Sequence, residues 1–252
     1  MKYLGIRPQD LRVAVFDFTG CEGCELQLAN REETLVDFLR AARLVRFREI
    51  ADEAADEYDV ALVEGAISRA DEIDRLQRIR ERARLLVALG TCACYGGVNK
   101  LKNAFDFAEA NAAVYGAQAK ETLPARAVSD VVSVDLAIPG CPVSKEEVER
   151  ILQHLLWDVP WRFPSYPVCL ECKQRFTVCT FQKGELCLGP ITMGGCGAPC
   201  PAGGLGCLGC RGPAADPNVD EFRSIARERG FGDRDVAAKL EFFGSFDPIA
   251  AR

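Results

Sequence analysis

Histidine is almost missing from this chain of 252 residues, which has only His154. A metal site built on several imidazoles is therefore excluded. Positive charge is not in excess: 31 Lys and Arg stand against 37 Asp and Glu, a formal charge of −6, so there is no nucleic-acid footprint. No eighteen apolar residues run together, which excludes a membrane-spanning helix. The opening residues MKYLGIRPQD hold neither an apolar stretch nor paired arginines, and no secretory signal is expected. No nucleotide-binding glycine loop of the GxGxxG kind is expected either. These absences leave a cytoplasmic chain as the default.

What the chain has in quantity is cysteine, thirteen in all. In a reducing compartment they are not expected to pair as disulfides. Eight fall between Cys169 and Cys210, in two fours: Cys169, Cys172, Cys179 and Cys187, then Cys196, Cys200, Cys207 and Cys210. Glycine and proline fill much of the space between them. Such a segment buries too little apolar surface to offset its ordering entropy, and metal–thiolate bonds are the natural substitute. Thirteen is three sets of four with one left over.

The first part of the chain alternates strand and helix patterns. Strands are expected at 11–18, 43–48, 58–63, 84–89 and 132–138. Helices are expected at 25–41, with Leu26, Leu35, Phe38 and Leu39 near one face, at 69–83 with Ile73, Leu76 and Ile79 inward, loosely near 104–113, and with Val148, Ile151, Leu152 and Leu155 in a last one that closes the unit near 156. This is a doubly wound, flavodoxin-like α/β domain with a mostly parallel sheet. Ligands of such sheets bind beyond the carboxyl ends of the strands, where the strand order reverses. Cys21 and Cys24 follow the first strand, Cys92 the fourth and Cys141 the fifth, so four thiols from three distant stretches converge on one edge. Pro160, Pro164 and Pro167 mark a boundary near 160, giving domains 1–160 and 161–252. The second is small and cysteine-rich and ends in a helical tail near 218–229 and 233–242, with Phe222, Ile225, Val236 and Leu240 periodic.

Spacing alone does not choose between zinc and iron–sulfur. Glycines beside the cysteines, which let backbone N–H groups reach sulfur, favour iron–sulfur, as does proline after Cys141 and Cys200. Three sites in one chain also suit a relay better than three structural zincs. FTGCEGCELQL, VEGAI, GTCACYGGV, IPGCP and the CLECK…CLGPIT…GCGAPCP…CLGCRGP run resemble the small subunit of nickel–iron hydrogenases. The opening PVCLECK, the CLGPIT run and the helical tail resemble the delta subunit of the soluble NADP-linked, sulfhydrogenase branch. The resemblance implies three 4Fe–4S clusters: proximal on Cys21, Cys24, Cys92 and Cys141; distal on Cys169, Cys172, Cys179 and Cys187; medial on Cys196, Cys200, Cys207 and Cys210. Cys187 could exchange with Cys196 or Cys200 in that partition. The resemblance also implies a nickel–iron large subunit and iron–sulfur and flavoprotein subunits, with FAD, that reduce NADP. Sibling branches linked to coenzyme F420 or a heterodisulfide reductase are the first alternative. The cluster subunit of quinone-reducing complexes and a zinc-stapled module without redox activity are the others.

Six other residues take plainer readings. Cys94, the thirteenth thiol, reads as core filler. Glu64 reads either as a helix-capping carboxylate or as a neighbour of the proximal cluster. Glu25 reads as a first-turn helix residue favoured by the helix dipole. His154 reads as surface or packing, and Trp157 and Trp161 as packing at the domain junction. The charge runs 69–84 and 221–235 read as solvated helix faces.

Overall fold

The computed structural model describes residues 6–7, 10–30, 42–50, 55–118 and 121–246. The chain divides into two compact units, Met1–Trp161 and Arg162–Arg252.

The first unit is a five-stranded parallel sheet. Its strands are β1 (Arg12–Asp17), β2 (Arg43–Arg46), β3 (Val60–Glu64), β4 (Leu85–Leu89) and β5 (Leu136–Ile138), in the order β2-β1-β3-β4-β5. The order reverses between β1 and β3, where Val13–Asp17 pairs residue for residue with Val60–Glu64. Every residue of β3 and β4 is buried. That explains their unbroken apolar sequences, since a central parallel strand has no solvent face.

Both faces are covered. Ala14, Phe16, Ala61 and Val63 share a core with Leu76 and Ile79 of helix α2 (Ala70–Arg82). On the opposite face Val13 and Val60 line a small gap with Leu152 and Leu155 of α5 (Lys145–Leu156). The remaining helices of this unit are α1 (Gly23–Ala29), α3 (Gly90–Tyr95) and α4 (Phe107–Tyr115).

Several expectations are corrected. Of the helix at 25–41, Gly23–Ala29 is described, while Leu35, Phe38 and Leu39 lie outside the described residues. Leu26 is half exposed, and Cys24, Glu25 and Leu28 form the buried face instead. The fifth strand starts only at Leu136, because the Asp135 carboxylate takes the Leu86 N–H (2.7 Å) that a longer strand would have paired. The helix near 104–113 is a 3-10 turn, Gly97–Ala104, followed by α4, whose start is capped by Asp106 accepting from Glu109 N at 3.0 Å. In the charge run 69–84, Glu72 is not solvated: it is buried and accepts from Ser68 N, Arg69 N and Thr19 Oγ1. Trp157 is exposed, so it packs little; Trp161 meets His154 edge-on at 5.1 Å.

Asp59 fixes the entry to the sheet. Its buried carboxylate accepts from Arg12 N and Nε, both at 3.1 Å, and pairs with Arg84 at 3.4 Å. Burial alone would raise its pKa, but the hydrogen bonds and charge from Arg12 outweigh burial and carry it below the usual carboxylate range. A lowered native pKa gives stability that is complete above the ordinary value, about 4, and is lost as pH falls through the native value. Asp59→Ala should destabilise the unit by about 2–4 kcal/mol at pH 7, because donors and charges lose a buried acceptor. Denaturant titrations should show the gap to wild type narrowing below pH 4; a gap independent of pH would contradict this account.

The second unit contains α6 (Val168–Gln174), a 3-10 turn Thr180–Lys183, α7 (Pro199–Ala202), α8 (Val219–Glu228) and α9 (Asp233–Glu241), with no strand among the described residues. Leu186, Leu188, Ile191, Phe222, Ala226, Val236 and Leu240 form one small core. The tail helices therefore pack on this unit, with Phe181 edge-on to Phe222 and Phe231. Ile225 is exposed and Ala226 takes the inward position, one residue from the expected periodicity. A second cluster is Val168, Cys187, Ala198 and Cys207, half of it cysteine.

Candidate iron–sulfur sites

No cysteine is joined in a disulfide among the described residues. Four of them follow the carboxyl ends of β1, β4 and β5. Cys21 is exposed in the loop after β1, and Cys24 is buried in the first turn of α1. Cys92 lies in α3, which starts directly from β4. Cys141 is exposed after β5.

The loops carrying them are tied together. Thr91 N donates to Gly140 O at 2.9 Å, and Gly140 N donates to Thr91 Oγ1 at 3.2 Å. Cys24 Sγ lies 4.0 Å from Gly140 O. Gly90 has φ +85, and a Cβ there would fall 2.4 Å from Cys24 Sγ. At Gly97, with φ +60, a Cβ would fall 2.6 Å from Cys92 Sγ. Only glycine accepts both the backbone angle and the approach of sulfur.

Burial pushes the Cys92 thiol up to about 11, with Cys21 and Glu64 adding to it. Burial raises Cys24 still further, reinforced by Glu64, Cys141 and Cys92. Thiols so gathered would stay protonated unless a cation faced them, and a coordinating metal deprotonates them outright. N–H groups already point at the sulfurs: Asn99 Nδ2 lies 3.6 Å from Cys92 Sγ and also donates to Thr19 O at 3.1 Å. The donor set and the glycine cradle thus fit an iron–sulfur cluster.

Two carboxylates sit beside this group. Glu64, the last residue of β3, is buried and accepts from Cys24 N (3.3 Å) and Glu25 N (2.7 Å). It therefore caps α1 and lies beside Cys24. Burial raises its pKa, opposed by those two N–H bonds. Glu25 stands in the first turn of α1, as expected, but inside the protein. It is fully buried, one carboxyl oxygen has no partner, and burial, then Glu64, pushes it up to about 8. This opposes the anion that the helix dipole alone would favour. Cys94 packs beside the sheet core with Sγ 3.6 Å from Ala88 O, as filler.

In the second unit, burial pushes Cys169 up to about 12, with Cys187, Cys172 and Cys179 as its charged neighbours. Cys172 is raised by burial, then by Cys187 and Cys179. Cys196 is pushed up to about 11 by burial, with Glu171 and Cys210 nearby. Cys207 is raised by burial, and by Cys187 and Cys210. Cys187 borders both fours. Gly189 N and Cys207 N lie 3.4 and 3.2 Å from its sulfur, and a Cβ on Gly189 would sit 3.3 Å from it and 3.6 Å from Cys169 Sγ. Cys200 is exposed on α7. Among the described residues no three His, Cys, Asp or Glu side chains are grouped to hold a single metal ion. A cluster makes a looser demand, since each thiolate binds its own iron.

Sequence reading missed Asn99, Thr91 and Glu171. Glu171 is buried and accepts from Gly195 N at 2.6 Å and Gly197 N at 2.9 Å, holding the loop at Cys196. It stands inside the CLECK motif, which was the available signal. The GxGxxG spacing does occur, at Gly204-Leu205-Gly206-Cys207-Leu208-Gly209, but after α7 and not between a strand and a helix, so it is no nucleotide loop. A cleft of about 940 Å³ near Asn99 holds Arg69 and Lys102 together with Asp71 and Glu121, so its charges are matched. No helix among the described residues is long and apolar enough to cross a membrane.

The family model described as NADH ubiquinone oxidoreductase, 20 Kd subunit, matches residues 21–155. The delta subunit of sulfhydrogenase 2 from Pyrococcus furiosus is 39% identical over 237 residues, covering 92% of this chain and 99% of the relative. A chain of an NAD+-reducing [NiFe]-hydrogenase crystal structure in the H2-reduced state superposes with a TM-score of 0.58 at 27% identity, covering 62% of this chain and 96% of that one. The chain belongs to the nickel–iron hydrogenase small subunits. This small subunit is also 31% identical to a vhu component of the F420-non-reducing hydrogenase of Methanocaldococcus jannaschii, over 83% of its own length and 84% of the relative's. The family match ends at residue 155, before the eight later cysteines, whereas the Pyrococcus relative extends across nearly the whole hydrogenase small subunit. As such it serves electron transfer, carries iron–sulfur clusters and pairs with a nickel–iron large subunit.

Proposed function

We propose that this small subunit holds three 4Fe–4S clusters and transfers electrons between the large-subunit nickel–iron site and a flavin-bearing partner that reduces NADP. Cys21, Cys24, Cys92 and Cys141 hold the proximal one. Cys169, Cys172, Cys179 and Cys187 hold the distal one, and Cys196, Cys200, Cys207 and Cys210 the medial one. The observation that carries the reading is the convergence of Cys24, Cys92 and Cys141 through the Thr91–Gly140 tie and the Gly90 cradle. The Gly189 cradle between Cys187 and Cys169 supports assigning Cys187 to the distal four. When bound, a cluster supplies one-electron redox chemistry. The chain's own residues exclude water at Cys24, Cys187 and Cys207 and direct N–H groups at sulfur, which tunes potential.

The NADP-linked acceptor rests on the likeness to the sulfhydrogenase delta chain. The likeness to the F420-non-reducing hydrogenase of Methanocaldococcus jannaschii favours a second reading, a partner outside the NADP branch. We assign the complex to the cytoplasm, where thiols outside disulfides stay reduced. Anaerobically purified complex should hold about twelve irons and as many sulfides per copy of this chain, and chemical reduction should produce paramagnetic signals. Zinc without sulfide would end the reading. Co-purification of a flavoprotein that reduces NADP distinguishes the two acceptors.

A further inference from the structure

Helix α6 carries Cys169 and Cys172 and ends in a Schellman turn. Phe176 N donates to Lys173 O and Thr177 N to Cys172 O, both at 3.0 Å. The residue at the left-handed position of such a turn is usually glycine. Here it is Phe176, at φ +54. The ring is also 94% exposed. Backbone preference and solvation both argue against phenylalanine at this position, so the isolated chain gains nothing from it. Val178 and Leu170, on either side in sequence, are exposed too. The surroundings are electropositive. Residues 172–184 hold Lys173, Arg175 and Lys183 and no acid, within a chain of net charge −6. The carboxylate nearest in sequence, Glu171, is buried and committed to Gly195 and Gly197.

We propose that Phe176, flanked by Leu170 and Val178 and rimmed by these cations, is the docking anchor for the electron-accepting protein. That partner presents an apolar socket edged with Asp and Glu. Exposed aromatics that enter a partner's pocket carry most of an interface's energy, and rim charges set its rate of encounter and salt dependence. The assignment rests on the reading above that Cys169, Cys172 and Cys179 hold the distal cluster, the last in the relay before the acceptor.

The test uses the complex purified anaerobically through a tag on this chain, as wild type, Phe176→Gly and Lys183→Glu. Methyl viologen, a small dye that needs no protein docking, measures electron output before the acceptor. Phe176→Gly should keep dye reduction and melt no lower than wild type, since glycine suits the turn. Retention of the redox partner, and hydrogen-driven reduction of that partner, should fall about tenfold or more. Lys183→Glu should weaken the same step chiefly at low salt. Wild-type partner retention in both variants overturns the proposal. So does loss of the nickel–iron subunit and of dye reduction in Phe176→Gly, which would assign the ring to that contact. A wild-type complex that cannot reduce the dye defeats the underlying electron-transfer reading, and the docking surface with it.

Discussion

Cys92→Ala should abolish hydrogen-dependent dye reduction, and iron should fall from about twelve to about eight per chain. Cys92 enters its group from α3, with Gly97 packed on its sulfur and Asn99 donating to it. Its removal leaves Cys24 buried among Glu64 and Cys141 without the cation that would make a thiolate there tolerable. Cys94 is the internal control, two residues along the same short helix. Its sulfur lies against the sheet core and 3.6 Å from the Ala88 carbonyl, so Cys94→Ala should keep about twelve irons and full turnover, at a stability cost of about 1 kcal/mol. Iron analysis and dye reduction on both variants decide the matter. Equal losses in the two, or retained turnover in Cys92→Ala, would contradict the assignment.

Removing iron should unfold the second unit and spare the first. The helices α6, α7, α8 and α9 have seven, four, ten and nine residues. Helices this short do not stand alone in water. The apolar cluster under α6 contains Cys187 and Cys207 themselves, so its ligands are also its core. Structural metal–thiolate sites supply apparent energies of about 10–16 kcal/mol in zinc-finger peptides, as large as a whole domain's stability of about 5–15 kcal/mol. The sheet unit instead has fully buried β3 and β4 and helices on both faces. Hydrogen exchange after anaerobic chelation should show amides of 168–214 losing protection while those of β1, β3 and β4 keep it. Persistent protection at 168–214 would mean that apolar packing alone holds this unit.

The sheet was legible because its central strands are apolar without interruption and its helices α2 and α5 repeat at helical spacing. The cysteines were legible because their spacing is written in the chain, and the ligand rule for parallel sheets set four of them at one edge. What stayed hidden depends on contacts across distance. Helix α3 starts on glycine and has no apolar periodicity. Asp135 shortens β5 by a side-chain bond that no pattern announces. Glu25 looks like any acidic first-turn residue, and only the fold buries it against Glu64. Leu26 and Ile225 fit a helical stripe yet face solvent, because neighbouring residues one or two positions away took the inward face.

The first thiol group has an outside and an inside: Cys21 and Cys141 are open to solvent, while Cys24 is shut in. Were these thiols to hold a cluster, as proposed, solvent would reach it from the Cys21 and Cys141 side and not from the Cys24 side. A loaded chain not yet covered there by another subunit should therefore lose iron to dioxygen faster than the assembled complex.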